Sequence, residues 1–398
     1  MFDPTDAGFL ADPYPTLASL REETPLFYEE SLSRWFVTRH SEVRGCLRDR
    51  RLGRNFRHVA SEDEFAAAEP LDPRWQAFWD SERWSLLWLE PPEHTQIRKL
   101  VAAAFTPRSV ESLRGPAAEL ARDLLPDGRF DLLRDYAQPY SIAVICTMLG
   151  VPTDRARDLL DWSHAMVKMY ELDTSTAQAE AATRAAAEFR DYVLELIEER
   201  RSVPRGDLVT RLVEAEVDGR RLSDDQIVST IIVLLNAGHE ATVNTLGNGV
   251  LALLRHPEQW GRLVAGEVDP ARAVEELIRW DPPLQLFERW VLEDGVEIAG
   301  EPVPRGEKVA LLFGSANRDR RVFDDADAFD VGRSNAAEHI GFGGGIHVCI
   351  GAPLARIELE ASLRALLERA PGLSLAEEPR RNRAFVIWGL EALQVTVS

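Results

Sequence analysis

The chain has 398 residues, 45% hydrophobic and 28% charged, which is ample for a large buried core. Its formal net charge of −20 argues against a nucleic-acid binder, because a polyphosphate would be repelled. The acid- and proline-bearing start MFDPTDAGFLADPYPTLASL lacks the apolar run of a signal peptide, and no stretch of 18 apolar residues offers a membrane span, so a cytoplasmic protein without membrane contact is expected. Along the chain, RWFVTR (34–39) reads as a strand and 41–49 as a helix. Residues 53–90 lack clear periodicity and carry Trp75, Phe78, Trp79, Trp84 and Trp88, consistent either with core packing or with a binding lid. Helical spacing then marks 93–104, 109–125, 140–149 and 175–201, with a polar break at YELDTSTAQ (170–178) and a connection at RSVPRGD (201–207). A further helix is expected over 352–369, and strands at KVALLF (308–313), AFVIWGL (384–390) and the terminal ALQVTVS. No repeat or low-complexity linker divides the chain. The expectation is one mainly α domain over 1–398, with a small β-rich part from segments near 26–39, 284–313 and 384–398.

The segment 224–255 is unusual. Ser223 and Gln226 form a capping-box pattern at its start, and the helical pattern runs for roughly 32 residues, about 48 Å. IVSTIIVLL is apolar nearly all round, so this helix should pass through the core. Midway stands NAGHEAT (236–242), where a glycine and an acid are each costly in a buried helix. Close packing at Gly238 and an arginine partner for Glu240 would be a purely structural explanation.

FGGGIHVCIG (342–351) places Cys349 in a glycine loop at the mouth of a helix. Cys46, Cys146 and Cys349 are widely spaced and odd in number, so a disulfide framework is not expected. A zinc site with His347 and His339 would lack further nearby ligands. A nucleophile activated by His347 is disfavoured because side chains two apart on an extended loop diverge. The glycines do not have dinucleotide-loop spacing. What remains is an iron-bound thiolate, favoured by the helix N-terminus and by N–H groups aimed at sulfur.

The pattern Phe342-Gly343-x-Gly345-x-His347-x-Cys349-x-Gly351 resembles the haem-binding signature of the cytochrome P450 family, and Ala352, Leu354, Ala355, Arg356 and Glu358 continue it. Glu276-Leu277-Ile278-Arg279 is similar to the family's E-x-x-R motif, and 316–333 to its meander, with Arg333 as a third member of an ion triad. EPPEHTQIRKLVAAAFTPR (90–108) resembles the haem-facing helix, and AGHEAT the oxygen-binding groove of the central helix.

The resemblance implies the cytochrome P450 fold, with a long central helix over a buried haem b held by the Cys349 thiolate. It implies a monooxygenase that inserts one oxygen atom of O2 into a small organic substrate. Electrons would come from NAD(P)H through a separate ferredoxin or flavodoxin and its reductase, and the locally basic 98–114 would either guide docking or be a solvated helix face. His94, Arg98, Arg289 and His347 would hold the haem propionates, with Phe342, Gly343 and Gly351 also at the cofactor. Gly238, Glu240, Ala241 and Thr242 would form the catalytic groove. Most of the family has threonine where this chain has Ala241, so proton delivery is expected through water or the substrate. The implied substrate contacts are Trp79, Trp84, Leu87, Met166, Met169, Leu234, Ala237, Leu284, Leu286, Phe287, Ile387 and Trp388, a largely apolar and aromatic set. Use of peroxide as oxidant, or a haem-containing binder or sensor without turnover, are the alternatives.

Overall fold

The computed structural model describes residues 2–69 and 71–397. Met1, Pro70 and Ser398, which fall within expected segments, lie outside the described residues. Helices dominate, and the central one spans Asp224–Arg255 without interruption. Its capping box forms as the sequence predicts: Ser223 Oγ accepts from the Gln226 amide at 3.3 Å and Gln226 Oε1 accepts from the Ser223 amide at 3.0 Å. Twenty-one of its residues are buried, including Ile227, Ile231, Leu235, Leu246 and Val250, because other helices cover most of its circumference. Around it pack Gln138–Leu149, Thr176–Ser202, Pro270–Trp280 and Ala352–Arg369, the last here called the cysteine helix. The shorter helix Ala156–Met166, the cap helix, lies across the middle of the central helix.

Two sheets carry most of the strands. One has five, in the order Leu26–Glu29, Arg34–Val37, Lys308–Leu312, Leu286–Val291, Leu52–Gly53. Strands 34–37 and 308–312 run parallel, with Ala310 opposite Phe36, and the other pairs are antiparallel. The second has three: Leu373–Leu375, Gln394–Val397 and Arg129–Asp131, all antiparallel. The expected β-rich part is therefore split, since the terminal strand pairs with 129–131 and 373–375 rather than with the 26–37 and 286–312 segments.

Three expectations are corrected. AFVIWGL (384–390) forms no strand, only the isolated bridge of Ile387 with Leu284 and that of Leu390 with Arg381. Its amides are used elsewhere: the Glu171 carboxylate accepts from Val386 at 3.1 Å and from Ile387 at 2.9 Å, and Pro283 O accepts from Trp388. The single helix over 109–125 is two, Pro107–Glu111 and Arg114–Asp123. Pro116 has no N–H to bond back to residue 112, so the ladder breaks and the proline sits in a first turn, where it costs nothing. The region 53–90 contains the helices Glu62–Ala68 and Gln76–Glu82. They are short, and their buried faces are too narrow to give a period.

Candidate active site

The cysteine loop is set by its glycines. Gly343 and Gly345 have φ of +69° and +65°, a conformation that favours glycine. A Cβ on Gly345 would lie 2.1 Å from the Leu47 carbonyl oxygen, so only glycine lets the loop press against that backbone. The Cys349 amide donates to Phe342 O at 2.9 Å and closes the loop. The N–H groups of Gly351 and Ala352, at the N-terminus of the cysteine helix, point at the Cys349 sulfur. Burial prevails and raises the thiol pKa, while these donors together with Arg98 and Arg356 oppose the rise. Cys349 is accessible, whereas Cys46 and Cys146 are buried and burial pushes their thiols up to about 12 and about 11.

Beside the loop, four of the expected residues converge. The His94 and His347 rings lie 4.5 Å apart between centroids. His94 is 1% exposed and neither ring nitrogen has a partner among the described residues. Burial, then His347 and Arg98, hold its pKa down at about 4. His347 Nε2 lies 3.3 Å from Glu90 Oε1, and its Nδ1 is unpartnered among the described residues. Arg289 is fully buried, and burial together with the neighbouring charge of Arg54 lowers its pKa to about 9. Arg98, half-buried, donates from Nη2 to Val348 O at 2.7 Å and so also braces the cysteine loop. Two further residues here escaped the sequence reading. Arg54 is buried between Trp88 and Phe287, 4.4 and 4.0 Å from their ring centroids, and donates to Leu87 O and Glu288 O. Glu90 accepts from the Arg54 amide and faces His347. Burial opposes its charge, yet these bonds hold its carboxyl below the ordinary glutamate range.

The central helix stays α-helical through NAGHEAT. Ala237 and Ala241 are exposed and Leu234 and Gly238 half-buried in a stretch otherwise mostly buried. Positions 234, 237, 238 and 241 form one stripe of the helix, so this stripe borders open interior space. Thr242 is 4% exposed and lies off it. A Cβ on Gly238 would meet Ile145 at 3.4 Å, an ordinary contact, so protein packing alone does not require glycine there. Asn244 Nδ2 donates to Glu240 O at 2.9 Å and Thr245 Oγ1 to Ala241 O at 2.7 Å, bonds back to the preceding turn. The partner of Glu240 is not an arginine but His164 of the cap helix, with Nε2 to Oε1 at 3.3 Å. Burial raises the Glu240 carboxyl, opposed by His164, Lys168 and Asn244.

The family model for cytochrome P450 matches residues 153–268 and 271–370. The polyketide biosynthesis cytochrome P450 PksS of Bacillus subtilis is 35% identical, over 100% of this chain and 99% of that protein. The cytochrome P450 monooxygenase PikC of Streptomyces venezuelae is 36% identical, over 97% and 91%. Among solved structures, P450BioI in complex with an acyl carrier protein ligated to hexadec-9Z-enoic acid superposes with a TM-score of 0.90 at 32% identity, covering 98% of this chain and 100% of that one. Epothilone D-bound P450epoK gives 0.90 at 30% identity, covering 100% and 99%.

The chain belongs to the cytochrome P450 family.

It is a haem-thiolate monooxygenase with the P450 fold, and its cofactor is haem b held by a cysteine. The P450's own residues fit that group. Unpartnered buried nitrogens on His94 and His347 beside Arg289 and Arg54 form a pocket rich in donors, with Glu90 as counter-charge, which suits added carboxylates. The glycine loop and an accessible thiol at a helix N-terminus suit a flat macrocycle with an axial sulfur. No helix among the described residues is long and apolar enough to cross a membrane.

An ion triad joins the helix Pro270–Trp280 to the meander. Arg279 binds Glu276 through two bonds of 2.6 and 2.8 Å, and Arg333 Nε reaches Glu276 at 3.2 Å. Arg279 also donates to the carbonyls of Asn317, Ala326 and Ala328, and Arg333 to those of Asp324, Asp325 and Ala328, so the meander is tied to this helix.

The expected substrate contacts do not all gather in one place. Trp79, Trp84, Leu87, Met169 and Leu234 are half-buried around the middle of the central helix and the 76–90 segment, with the Trp84 amide 3.4 Å from Ser229 Oγ. Phe287 is half-buried under Arg54, and Leu284 and Ile387 are half-buried and bridged to each other. Met166 is fully buried against Asn236, and Leu286 and Trp388 lie in a separate apolar cluster with Phe2, Phe9, Leu17 and Phe36. Glu82 escaped the sequence reading: buried, it accepts from Trp88 Nε1 at 2.9 Å and from Tyr170 OH at 3.1 Å.

Proposed function

We propose that this P450 oxidises an apolar substrate of polyketide type that carries an oxygen function close to the oxidised carbon, with Cys349 as the haem ligand. When bound, the haem supplies dioxygen activation and oxygen-atom transfer. The chain's residues orient, supply protons and exclude water. His94, Arg98, Arg289 and His347, joined by Arg54, hold the propionates. Gly351 and Ala352 N–H groups stabilise the thiolate. Similarity to PksS and to epothilone D-bound P450epoK supports the substrate class.

The observation that carries the reading is the stripe on the central helix. Ala241 borders the open space, while Thr242, 4% exposed, is turned from it in an undistorted helix. One residue rotates a helix by about 100°, so Thr242 offers no hydroxyl there. Proton delivery then falls to Glu240, to water and to an oxygen on the substrate. The electron donor is an acidic ferredoxin or flavodoxin that meets the cysteine face. A cavity of about 560 Å³ opens there beside Arg44, Leu47, Arg48, Gly344, Gly345 and Val348, and the two arginines supply complementary charge.

The test compares coupling of NADPH use to product in wild type and Ala241→Thr, across pairs of substrates with and without the neighbouring oxygen. Wild type should couple well only with the oxygenated member and release peroxide with the other. The variant should narrow that gap. Equal coupling of both members by wild type would exclude substrate assistance.

A further inference from the structure

His164, His239 and Glu240 form a cluster that the reading above uses only in part. One ligand atom from each lies within 4.8 Å of the others. His164 belongs to the cap helix and the other two to the central helix, so the cluster bridges two elements. His239 is fully buried, and neither of its ring nitrogens has a partner among the described residues. Its ring centroid is 5.6 Å from that of His164. A buried imidazole without hydrogen bonds costs about 1–3 kcal/mol and calls for an occupant. His164 and Glu240 are part-exposed, so an ion can enter from the cap-helix side.

We propose that His164, His239 and Glu240 bind one divalent transition-metal ion of the zinc class. Two neutral imidazoles and one carboxylate are a ligand set characteristic of such ions, and their single negative charge partly balances a dication. Two ligands about 2.1 Å from a tetrahedral ion stand about 3.4 Å apart. His164 Nε2 and Glu240 Oε1 stand 3.3 Å apart already, and one His239 ring nitrogen lies within 4.8 Å of a ligand atom of each of the other two. The fourth position is left to water on the exposed side. Among the described residues, Lys168 is the cation that acts on Glu240 apart from His164; it is exposed and free to turn away. The bound ion pins the cap helix to the central helix and occupies the Glu240 carboxylate. It therefore acts as an off-switch for proton delivery, a consequence that rests on the role proposed above for Glu240. The binding itself does not rest on it.

The experiment titrates ZnCl2 into the haem-loaded protein in chelator-treated buffer, with bound zinc counted after equilibrium dialysis. One zinc per chain is expected, with no comparable binding of Mg2+, which prefers oxygen ligands. Affinity should fall about tenfold or more in His164→Ala and in His239→Leu, and should not change in the control His58→Ala, whose side chain is exposed elsewhere. His164 is part-exposed, so its variant keeps the test valid should the buried His239 variant fold poorly. No stoichiometric zinc, equal binding of Mg2+, or binding indifferent to His164→Ala each overturns the site. With zinc bound, the share of NADPH lost to peroxide should rise in wild type and not in His164→Ala. Zinc binding at these residues with an unchanged peroxide share overturns the switch and the role of Glu240, while the site stands.

Discussion

The two walls of the active site are built on different principles. Behind the cysteine loop, buried charge is matched by buried charge: Glu276 faces Arg279 and Arg333, and both arginines are bonded further to meander carbonyls. On the opposite wall, buried polar atoms stand unmatched among the described residues, namely both nitrogens of His239, Nε1 of Trp79 and Oδ1 of Asn236. Saturated polar networks in a low-dielectric interior are rigid and specific, whereas unsatisfied ones are held ready for something not yet bound. The ion triad fixes a geometry, while His94 and His347 beside the cysteine loop also carry nitrogens without a partner among the described residues, ready for an added group. The opposite wall waits for substrate, water or an ion.

The comparison can be broken most severely at the sulfur. Cys349→Ser should abolish the thiolate-type carbon monoxide band altogether, while Cys46→Ser and Cys146→Ser should keep it; survival of the band in the first variant would remove the assignment. Next comes the triad. Removing one partner leaves a buried charge alone, so Arg279→Ala should cost about 3–5 kcal/mol in denaturant unfolding. His164→Ala, at the part-exposed pair on the other wall, should cost less than about 1 kcal/mol. Similar costs for the two would erase the distinction between the walls.

The proposed propionate partners sharpen the picture at intermediate size. Charge-assisted bonds contribute about 1.5–3 kcal/mol each, so Arg289→Ala should release haem to apomyoglobin roughly ten- to a hundredfold faster. Arg98→Ala should have a smaller effect, because one of its donors is already committed to Val348 O.

Glu82 tests the opposite wall by pH. Burial raises its pKa to about 7, against the opposing bonds from Trp88 and Tyr170. The folded protein therefore keeps a proton that the unfolded chain sheds at lower pH. The stability that this group contributes is complete below the ordinary glutamate range and is lost as pH rises to about 7. Glu82→Gln should flatten thermal stability across that window; an unchanged slope would show that the carboxyl is already ionised there.

The smallest effect is expected on the electron-donor face. Lys99 already pairs with Asp218 at 2.8 Å, and both are exposed. Lys99→Glu should slow first-electron transfer only about twofold, less than Arg108→Glu, and added salt should shrink both effects. A larger loss at Lys99 would place the docking centre there instead.

Much of this was legible before any coordinates. Glycine spacing around Cys349 marked the loop, because no other residue adopts its positive φ at Gly343 and Gly345 so cheaply. Ser223 and Gln226 marked the start of the central helix, because a capping box is a local device. His94 and Arg98, one turn apart, marked a shared face. Period also gave the mainly helical class, and the resemblance of the cysteine loop to the cytochrome P450 signature implied the cofactor.

Tertiary structure decided the rest. Arg54, Glu82 and Glu90 sit in a segment with no period, and their roles arise from partners as distant as Glu288, Tyr170 and His347. Phe385–Trp388 look like a strand by composition, yet their amides go to Glu171 and Pro283, whose approach no local pattern announces. His164 meets Glu240 across 76 positions because two helices cross. Local conformation follows from nearby side chains and backbone sterics, which a sequence displays directly. Pairing of charges and donors across the fold depends on which elements come to lie side by side, and that is settled only when the whole core packs.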